Sequence, residues 1–188
     1  MDMVLRAITP ADLESGRGGI LDVFAAAFDG PPYHEGPADT ARFNESLTRH
    51  AGRPGFRCYI AEEGAGGRVV GFTYGYAALP GGWWYDIVAA ALDPAAVERW
   101  MGDAFEFVEL AVHPAAQGQG LGGRLHDALL AGVPYWTALL STYQGETAAR
   151  QLYRRRGWAP LLEHFYYPGG TVPMAILGLQ LPVRPALR

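Results

Sequence analysis

Apolar and polar residues alternate in short runs along this chain, and segments with helical periodicity separate the runs. The alternation predicts seven strands, over 4–8, 56–62, 69–78, 105–112, 136–142, 161–167 and 174–181. The helical patterns cover 13–28, 39–50, 95–101, 121–131 and 147–156. This order predicts a mixed α/β fold without internal repeats. We interpret residues 80–103 as a helical insertion within a single domain, 1–188.

Glycine and proline mark the turns between these elements. The first helical pattern contains Gly16, Gly18 and Gly19, which predicts interruptions of that helix. The tandem Pro31-Pro32 excludes helix and central strand, so 29–37 is expected to be a loop. Asp39 is the expected cap of the helix that follows.

Composition narrows the class of protein further. The chain has 188 residues, of which 49% are hydrophobic and 18% charged, enough apolar material for one domain with a core. The single cysteine, Cys58, excludes an internal disulfide, and the five histidines lack metal-ligand spacing. No apolar run reaches the ~18–20 residues of a membrane helix, and the first residues do not resemble a signal peptide. We therefore expect a soluble, cytoplasmic, metal-free domain that does not bind membranes.

Charge argues against a nucleic-acid partner. The formal net charge is −4, and all 15 basic residues are arginine. The one basic run, 154–156, is too short to indicate nucleic-acid binding in an acidic chain. A solvated helix face is the better interpretation of that run.

The most informative segment is a strand, a glycine-rich turn at 113–123 and an amphipathic helix. Glycines let the backbone approach a ligand, and the helix start favours an anion such as a pyrophosphate. Gly118, Gly120 and Gly123 fit the dinucleotide pattern G-x-G-x-x-G. However, five residues separate the strand from the first glycine, and strand 136–142 supplies no acid for a ribose. A dinucleotide enzyme is therefore the weaker alternative.

Two motifs resemble the GNAT superfamily of N-acetyltransferases. Residues 117–122, Gln-Gly-Gln-Gly-Leu-Gly, match its Q/R-x-x-G-x-G/A signature, and Leu-Ala-Val-His-Pro at 110–114 leads into it. Residues 139–158 resemble the family's second motif, a strand and a helix that ends at Leu152-Tyr153 before Gly157-Trp158. The resemblance runs from the strand at 105 through the last strand.

The resemblance implies a mixed, mostly antiparallel sheet flanked by helices and splayed between strands 105–112 and 136–142, with acetyl-CoA in the opening. Backbone groups would pair with the pantetheine arm and hold the pyrophosphate. The residues implied are Leu110, Ala111, Val112, Gln117, Gly118, Gln119, Gly120, Leu121 and Gly122. Arg124, one turn into the helix, would add a charge-assisted bond to phosphate, or is simply an exposed helix residue.

Acetyl transfer to an amine needs a proton donor for the leaving thiolate and a base for the amine. Tyr153 occupies the family's general-acid position, and a phenol is protonated at neutral pH; the alternative is that Tyr153 only packs beside Ala149. Glu109 faces apolar neighbours by strand alternation, where desolvation would raise its pKa toward that of a useful base. The alternative is a strand-end glutamate that reaches solvent or an arginine. Glu106 points the other way, and we interpret it as structural or exposed.

Three further positions bear on this assignment. Glu146 stands where many family members have an asparagine that contacts the cofactor, so that contact is in doubt. His113 is expected to shape the turn rather than to catalyse. Ser141 and Cys58 lack the local motif of a nucleophile, which argues against a hydrolase.

Acceptor recognition in the superfamily comes largely from the loop between the first two helices and from the material before the glycine-turn strand. Tyr33 in the first segment and Trp84 in the second are the best candidates for substrate contact. Asp86 could attract a protonated amine. The alternative is that the tryptophans cap the core beneath the insertion.

These observations predict an enzyme that moves an acetyl group from acetyl-CoA to a primary amine of a small molecule or peptide by direct attack. The alternative from another class is a sensor domain that binds acyl-CoA without turnover. Family members are often dimers, so a homodimer stays open.

Overall fold

The structure, a computed structural model, describes residues 3–182. Within them seven strands form a mixed, mostly antiparallel sheet, and six α-helices flank the strands. The strands are β1 (Met3–Ile8), β2 (Arg57–Glu63), β3 (Val69–Ala78), β4 (Ala104–Val112), β5 (Thr137–Tyr143), β6 (Ala159–Phe165) and β7 (Met174–Gln180). The helices are α1 (Leu13–Phe28), α2 (Pro37–Ala51), α3 (Trp83–Ala91), α4 (Pro94–Met101), α5 (Leu121–Leu130) and α6 (Ala148–Arg155).

The chain divides into two compact units, and β4 contributes to both. The first unit comprises the residues up to Tyr76 together with Val108–Ala131. Its strand order is β1-β2-β3-β4, and β2 pairs antiparallel with both β1 and β3. On β3, the Thr73 hydroxyl donates to the carbonyl oxygen of Glu109 on β4 over 2.8 Å.

Aromatic and aliphatic side chains of α1, α2, β2 and β3 fill the core of the first unit. Phe24 of α1 and Phe43 of α2 stack with ring centroids 4.0 Å apart. Leu47 and Phe72 are fully buried beside them. A smaller cluster packs Leu121 and Leu125 of α5 against Val70, which fixes α5 against its strands.

Among the described residues, the second unit comprises Ala77–Phe107 and 132–182. Its strand order is β4-β5-β7-β6. The start of β4 pairs parallel with β5, from Ala104 opposite Thr137 to Glu106 opposite Leu139. β7 pairs antiparallel with β5 and β6. Trp84, Val88 and Met101 pack with Leu139 and Ile176 in the core of this unit.

The predicted strands and their order are confirmed, and their ends lie within two residues of the expected positions. The predicted interruption of the first helix is wrong. Helix α1 runs unbroken through Gly16, Gly18 and Gly19. Gly19 has a packing reason: a Cβ on this residue would lie 2.6 Å from Cγ2 of Val69. The glycine therefore permits close approach of α1 to β3 rather than ending the helix.

Two other expectations need correction. Asp39 is not the cap residue of α2, because the helix begins two residues earlier, at Pro37. Its carboxylate instead accepts the Gly36 N–H over 2.9 Å from inside the first turn. The insertion at 80–103 is helical, as expected. It contains two helices, α3 and α4, where the sequence pattern predicted one at 95–101, and α3 begins at Trp83. Among residues 3–182, no helix is long and apolar enough to cross a membrane.

Candidate active site

The glycine-rich turn joins β4 to α5 in the first unit. A 3₁₀ turn at Pro114–Ala116 follows β4, and α5 begins at Leu121. Gly118 has a φ of +74° and Gly120 a φ of +75°, which is the left-handed region that side chains with a Cβ rarely adopt. A Cβ on either residue would meet nothing within 4 Å. The two glycines are thus required by backbone conformation and leave open space above the turn.

Backbone N–H groups at the start of α5 are available to a ligand. The Arg124 N–H donates to the Gly120 carbonyl over 3.2 Å and makes the first hydrogen bond of the helix. The N–H groups of Leu121, Gly122 and Gly123 precede that bond and have no acceptor within the helix. Residues 117–120 are exposed. N–H groups without a helical acceptor, next to exposed residues and at the positive end of a helix dipole, form a site suited to an anion such as a diphosphate.

Side chains around the turn hold its shape. The Ala115 N–H donates to Nδ1 of His113 over 3.2 Å, which confirms that His113 shapes the turn. Nε2 of Gln117 donates to the Val112 carbonyl over 2.9 Å, so this side chain ties the turn to the end of β4. Arg124 is exposed, and its Nη2 donates to the Met3 carbonyl over 2.8 Å. Its guanidinium is therefore anchored on β1, and its role toward phosphate stays a prediction.

Glu109 lies on β4 with a half-buried side chain. Burial, and then the negative charge of Glu35, raises the pKa of Glu109 to about 8. The N–H of Leu110 opposes this increase by hydrogen bonding to the carboxylate. The expected desolvation of this carboxyl group is confirmed. In the described part of the chain, Glu109 forms no ion pair within 4 Å, so the alternative of an arginine partner does not hold there.

Glu35 is a neighbour of Glu109 that the sequence reasoning did not single out. It lies in the loop between α1 and α2, and its N–H donates to the Phe28 carbonyl over 2.9 Å. Burial raises the pKa of Glu35, and the charge of Asp39 adds to the increase, while Arg42 opposes it. Tyr33 of the same loop is half-buried, with its ring edge-on to Phe28 at 4.8 Å. The family resemblance predicts acceptor recognition by this loop, and that is the available sequence signal for Glu35.

Tyr153 lies near the end of α6 in the second unit. The Thr147 side chain caps this helix by accepting the Arg150 N–H over 3.1 Å. The Tyr153 side chain is 6% exposed, and its ring packs edge-on against Phe107 at 6.1 Å and near Trp158 at 5.7 Å. The packing partners are thus these two rings rather than Ala149 alone. The acid role of Tyr153 stays a prediction.

Glu146 and Glu106 differ in their surroundings. Glu146 lies just before the cap of α6, is exposed, and forms an ion pair with Arg154 at 2.6 Å. A surface ion pair of this kind contributes little to stability. Glu106 is buried at 6% exposure, so the alternative that it is exposed is wrong and the structural alternative is retained.

Trp84 lies in the core of the second unit, as the alternative interpretation held. Its side chain is 9% exposed, and its indole N–H donates to the Tyr167 hydroxyl over 2.9 Å. Trp83 is 63% exposed and stacks on the Tyr167 ring at 5.4 Å. The Asp86 carboxylate accepts the Gly81 N–H over 2.9 Å at the start of α3. Substrate contact by Tyr33 and Trp84 stays a prediction.

Comparison with known proteins agrees with this arrangement of strand, glycine turn and helix. The sequence model of the acetyltransferase (GNAT) domain matches residues 54–160, which include β4, the turn and α6. The chain therefore belongs to the GNAT acetyltransferase family, as the two sequence motifs predicted.

Individual relatives add detail. The chain is 39% identical over 123 residues to the GCN5-like protein acetyltransferase Rv2170 of Mycobacterium tuberculosis. That match covers 61% of this chain and 60% of the relative, so the chain spans less than two thirds of the curated protein it matches.

Two solved structures share the fold. The yncA protein of Salmonella typhimurium, solved with its cofactor acetyl-CoA, has a TM-score of 0.59 at 16% identity. The alignment covers 100% of this chain and 99% of that one. The ribosomal-protein-S18-alanine N-acetyltransferase of Escherichia coli has a TM-score of 0.63 at 15% identity, with coverages of 98% and 97%. Identities this low establish the fold alone.

Proposed function

We propose that this chain is an acetyl-CoA-dependent N-acetyltransferase that acetylates a primary amine of a small molecule or peptide by direct attack. The observation that carries the proposal is the turn between β4 and α5. Its left-handed glycines, and the N–H groups at the start of α5 that lack a helical acceptor, would form an anion site directly after the strand that holds Glu109. Family membership supports the reaction, and the choice of acceptor amine is our inference.

The residues of the turn fit the diphosphate of coenzyme A. The N–H groups at 118–122 would bind its oxygens, and the open space at Gly118 and Gly120 would admit them without a steric clash. The N–H of Gln117, which the family resemblance also implies as a donor, instead donates to the Pro114 carbonyl over 3.3 Å. The backbone of 110–112 would pair with the pantetheine arm. Acetyl-CoA supplies the activated acetyl group as a thioester. A dinucleotide would compete for such a turn, and thermal protection by coenzyme A but not by NAD would separate the two ligands.

Glu109 and Tyr153 have complementary tasks in this proposal. Glu109 takes a proton from the acceptor ammonium, directly or through water, so that a neutral amine can attack. The bond from nitrogen to the acetyl carbon then forms, the nitrogen releases its second proton to water, and the bond from that carbon to sulfur breaks. Tyr153 donates its phenolic proton to the departing sulfur, and solvent restores that proton. The net products are an amide, a free thiol and one proton.

A Tyr153→Phe variant tests the acid role. We expect kcat to fall by roughly 100-fold because a general acid contributes about 10²–10⁴. The Kd for acetyl-CoA should stay within about twofold, since the substitution removes only the hydroxyl of a ring that packs on Phe107 and Trp158. The measurement is release of free thiol over a panel of amines, with calorimetric titration of acetyl-CoA.

Tyr166→Phe is the matched control, because Tyr166 is a 51% exposed tyrosine of the same unit. It should leave both quantities unchanged. A Tyr153→Phe enzyme with wild-type kcat would remove Tyr153 from the reaction. A wild-type chain that binds acetyl-CoA but releases no thiol with any amine would instead indicate a binding domain without turnover.

A further inference from the structure

Three side chains of the second unit, those of Trp84, Tyr167 and Ser141, are linked by hydrogen bonds. The Trp84 N–H donates to the Tyr167 hydroxyl over 2.9 Å and lies 3.3 Å from Oγ of Ser141. The Tyr167 hydroxyl and Oγ of Ser141 are 2.7 Å apart. Trp84 belongs to α3, Ser141 to β5, and Tyr167 follows β6. Three separate elements therefore converge on one hydrogen-bonded cluster.

The direction of these hydrogen bonds follows from the available donors and acceptors. An indole N–H can only donate, so Tyr167 must accept from Trp84. Among residues 3–182, the acceptor within reach of the Tyr167 hydroxyl hydrogen is Oγ of Ser141. If Ser141 donated to Tyr167 instead, the mostly buried phenol would keep an unsatisfied hydrogen, which is costly. The donors therefore run from Trp84 through Tyr167 to Ser141.

Ser141 ends this hydrogen-bonded series, and among residues 3–182 its own O–H has no acceptor. Its Oγ receives the hydrogen bonds of Tyr167 and Trp84, and the described residues offer no acceptor within bonding distance of its own O–H. Ser141 is half-buried, so part of its surface is exposed. Successive hydrogen bonds polarise one another, which makes this terminal O–H a stronger donor than an isolated serine.

The surroundings restrict what this O–H can meet. Phe165 packs edge-on against Tyr167 at 5.1 Å, and the stacked Trp83 covers another side of the same ring. Burial raises the pKa of Tyr167, and the negative charge of Glu106 adds to the increase, while the hydrogen bonds with Ser141 and Trp84 oppose it. A negative charge near the cluster disfavours an anionic ligand. A neutral oxygen in apolar surroundings is the complementary partner.

We propose that the Ser141 hydroxyl donates a hydrogen bond to a neutral carbonyl oxygen of a bound ligand, and that Tyr167 and Trp84 position it. The inference rests on the proposed function for the identity of the ligand. Two sources carry such a carbonyl: acetyl-CoA, with its amides and thioester, and an acceptor whose amine lies next to an amide, as at a peptide N-terminus. Ser141 is thus a binding residue, and in the second case it would select amide-bearing amines over simple ones.

The test uses Ser141→Ala and its conservative counterpart Ser141→Thr, which keeps a hydroxyl on the strand. The Kd for acetyl-CoA is measured by calorimetry. The kcat/KM is measured with two probes, L-phenylalaninamide, which carries the carbonyl, and 2-phenylethylamine, which does not. Loss of one neutral hydrogen bond should weaken one of these quantities about three- to tenfold. Ser141→Thr should restore it.

Two further variants show whether an effect is specific. Tyr167→Phe leaves Trp84 3.3 Å from Ser141 and should cause a smaller loss than Ser141→Ala. Ser46→Ala is the matched control, because this half-buried serine of α2 accepts a hydrogen bond from Arg49 in the first unit. It should change neither Kd nor kcat/KM. Thermal unfolding of each variant checks that the fold is retained.

Each outcome decides the proposal. A higher Kd for acetyl-CoA in Ser141→Ala identifies the cofactor as the source of the carbonyl. An unchanged Kd with a selective loss of kcat/KM for L-phenylalaninamide identifies the acceptor. An unchanged Kd with equal losses for both probes, or with no loss, overturns the proposal. If the wild type turns over no amine, the proposed function fails, and the acetyl-CoA titration alone decides the role of Ser141.

Discussion

Glu109, the base of our proposal, shows how a single carboxyl group acquires a raised pKa. Strand alternation predicts a desolvated carboxyl group at this position, and burial is the main reason for its raised pKa. This much is predictable from the sequence, because it depends only on the strand and its pattern. The contribution of Glu35 was not predictable, since it requires the α1–α2 loop to bring a residue 74 positions away in the chain close to β4.

The pH dependence of the reaction tests this residue. With a pKa of about 8, Glu109 is mostly protonated at pH 7, and its basic form increases as the pH rises. We expect kcat/KM of the wild type to rise through about pH 8 and then to level off. Glu109→Gln should lose this inflection and roughly 100-fold of its activity at high pH. The measurement is kcat/KM from pH 6 to 9.5 with one acceptor amine.

Glu35→Gln refines the same measurement. Removing the Glu35 charge lowers the pKa of Glu109, so the inflection should move to lower pH while activity at pH 9 is retained. Glu45→Gln, at an exposed position on α2, is the control and should leave the profile unchanged. An inflection at the same pH in Glu109→Gln would show that another group titrates.

Trp84 is a residue whose environment could not be predicted from the sequence alone. The sequence offered two interpretations, substrate contact or a core position beneath the insertion, and each is compatible with an aromatic run after Gly81-Gly82. Burial of Trp84 and its hydrogen bond to Tyr167 depend on a partner that follows β6, far along the chain. A local pattern carries no information about such a partner.

At the scale of elements, α1 shows why the glycine-based prediction failed. Three glycines in one helical pattern lower intrinsic helix propensity by roughly 1 kcal/mol each relative to alanine. Tertiary packing compensates, because α1 buries Leu13, Ile20, Val23 and Phe24 in the core of the first unit. Strands were predicted more closely, since their alternation and flanking turns are local signals that agree with the packing.

Gly18 and Gly19 make a matched pair for testing this explanation. A Cβ on Gly18 would meet nothing within 4 Å, whereas one on Gly19 would lie 2.6 Å from Cγ2 and 2.7 Å from Cβ of Val69. Gly18→Ala should therefore stabilise the protein by about 0.5–1 kcal/mol through helix propensity. Gly19→Ala should destabilise it by about 1–3 kcal/mol, as overpacking does. Urea unfolding measures both values.

The result expected for this pair cannot come from propensity alone. Both substitutions make the same chemical change one residue apart in the same helix, so propensity predicts equal stabilisation. Equal gains for the two variants would mean that α1 does not approach Val69 closely. A Gly19→Ala, Val69→Gly double variant removes the Val69 atoms that lie nearest to the new methyl group, so it should be less destabilised than the sum of the two single variants.

At the scale of the whole molecule, the chain offers a separate probe for each compact unit. All five tryptophans, at 83, 84, 100, 136 and 158, belong to the second unit. The single cysteine, Cys58, belongs to the first, where it is buried, and burial raises the pKa of its thiol to about 12. The native thiol should therefore react slowly with disulfide reagents and become reactive when the first unit unfolds.

These probes test the proposal that residues 1–188 form a single domain. Strand β4 contributes Ala104–Phe107 to the second unit and Val108–Val112 to the first. Because β4 is one continuous strand, its unfolding in one unit should also disrupt the part that belongs to the other. We therefore expect tryptophan fluorescence and pulsed labelling of Cys58 to report the same urea midpoint. Acetyl-CoA at 100 times its Kd should stabilise the chain by about 2.7 kcal/mol and shift both midpoints together. Two different midpoints would show that the units unfold independently. A ligand shift confined to Cys58 labelling would show that only the unit with the glycine turn is coupled to the ligand.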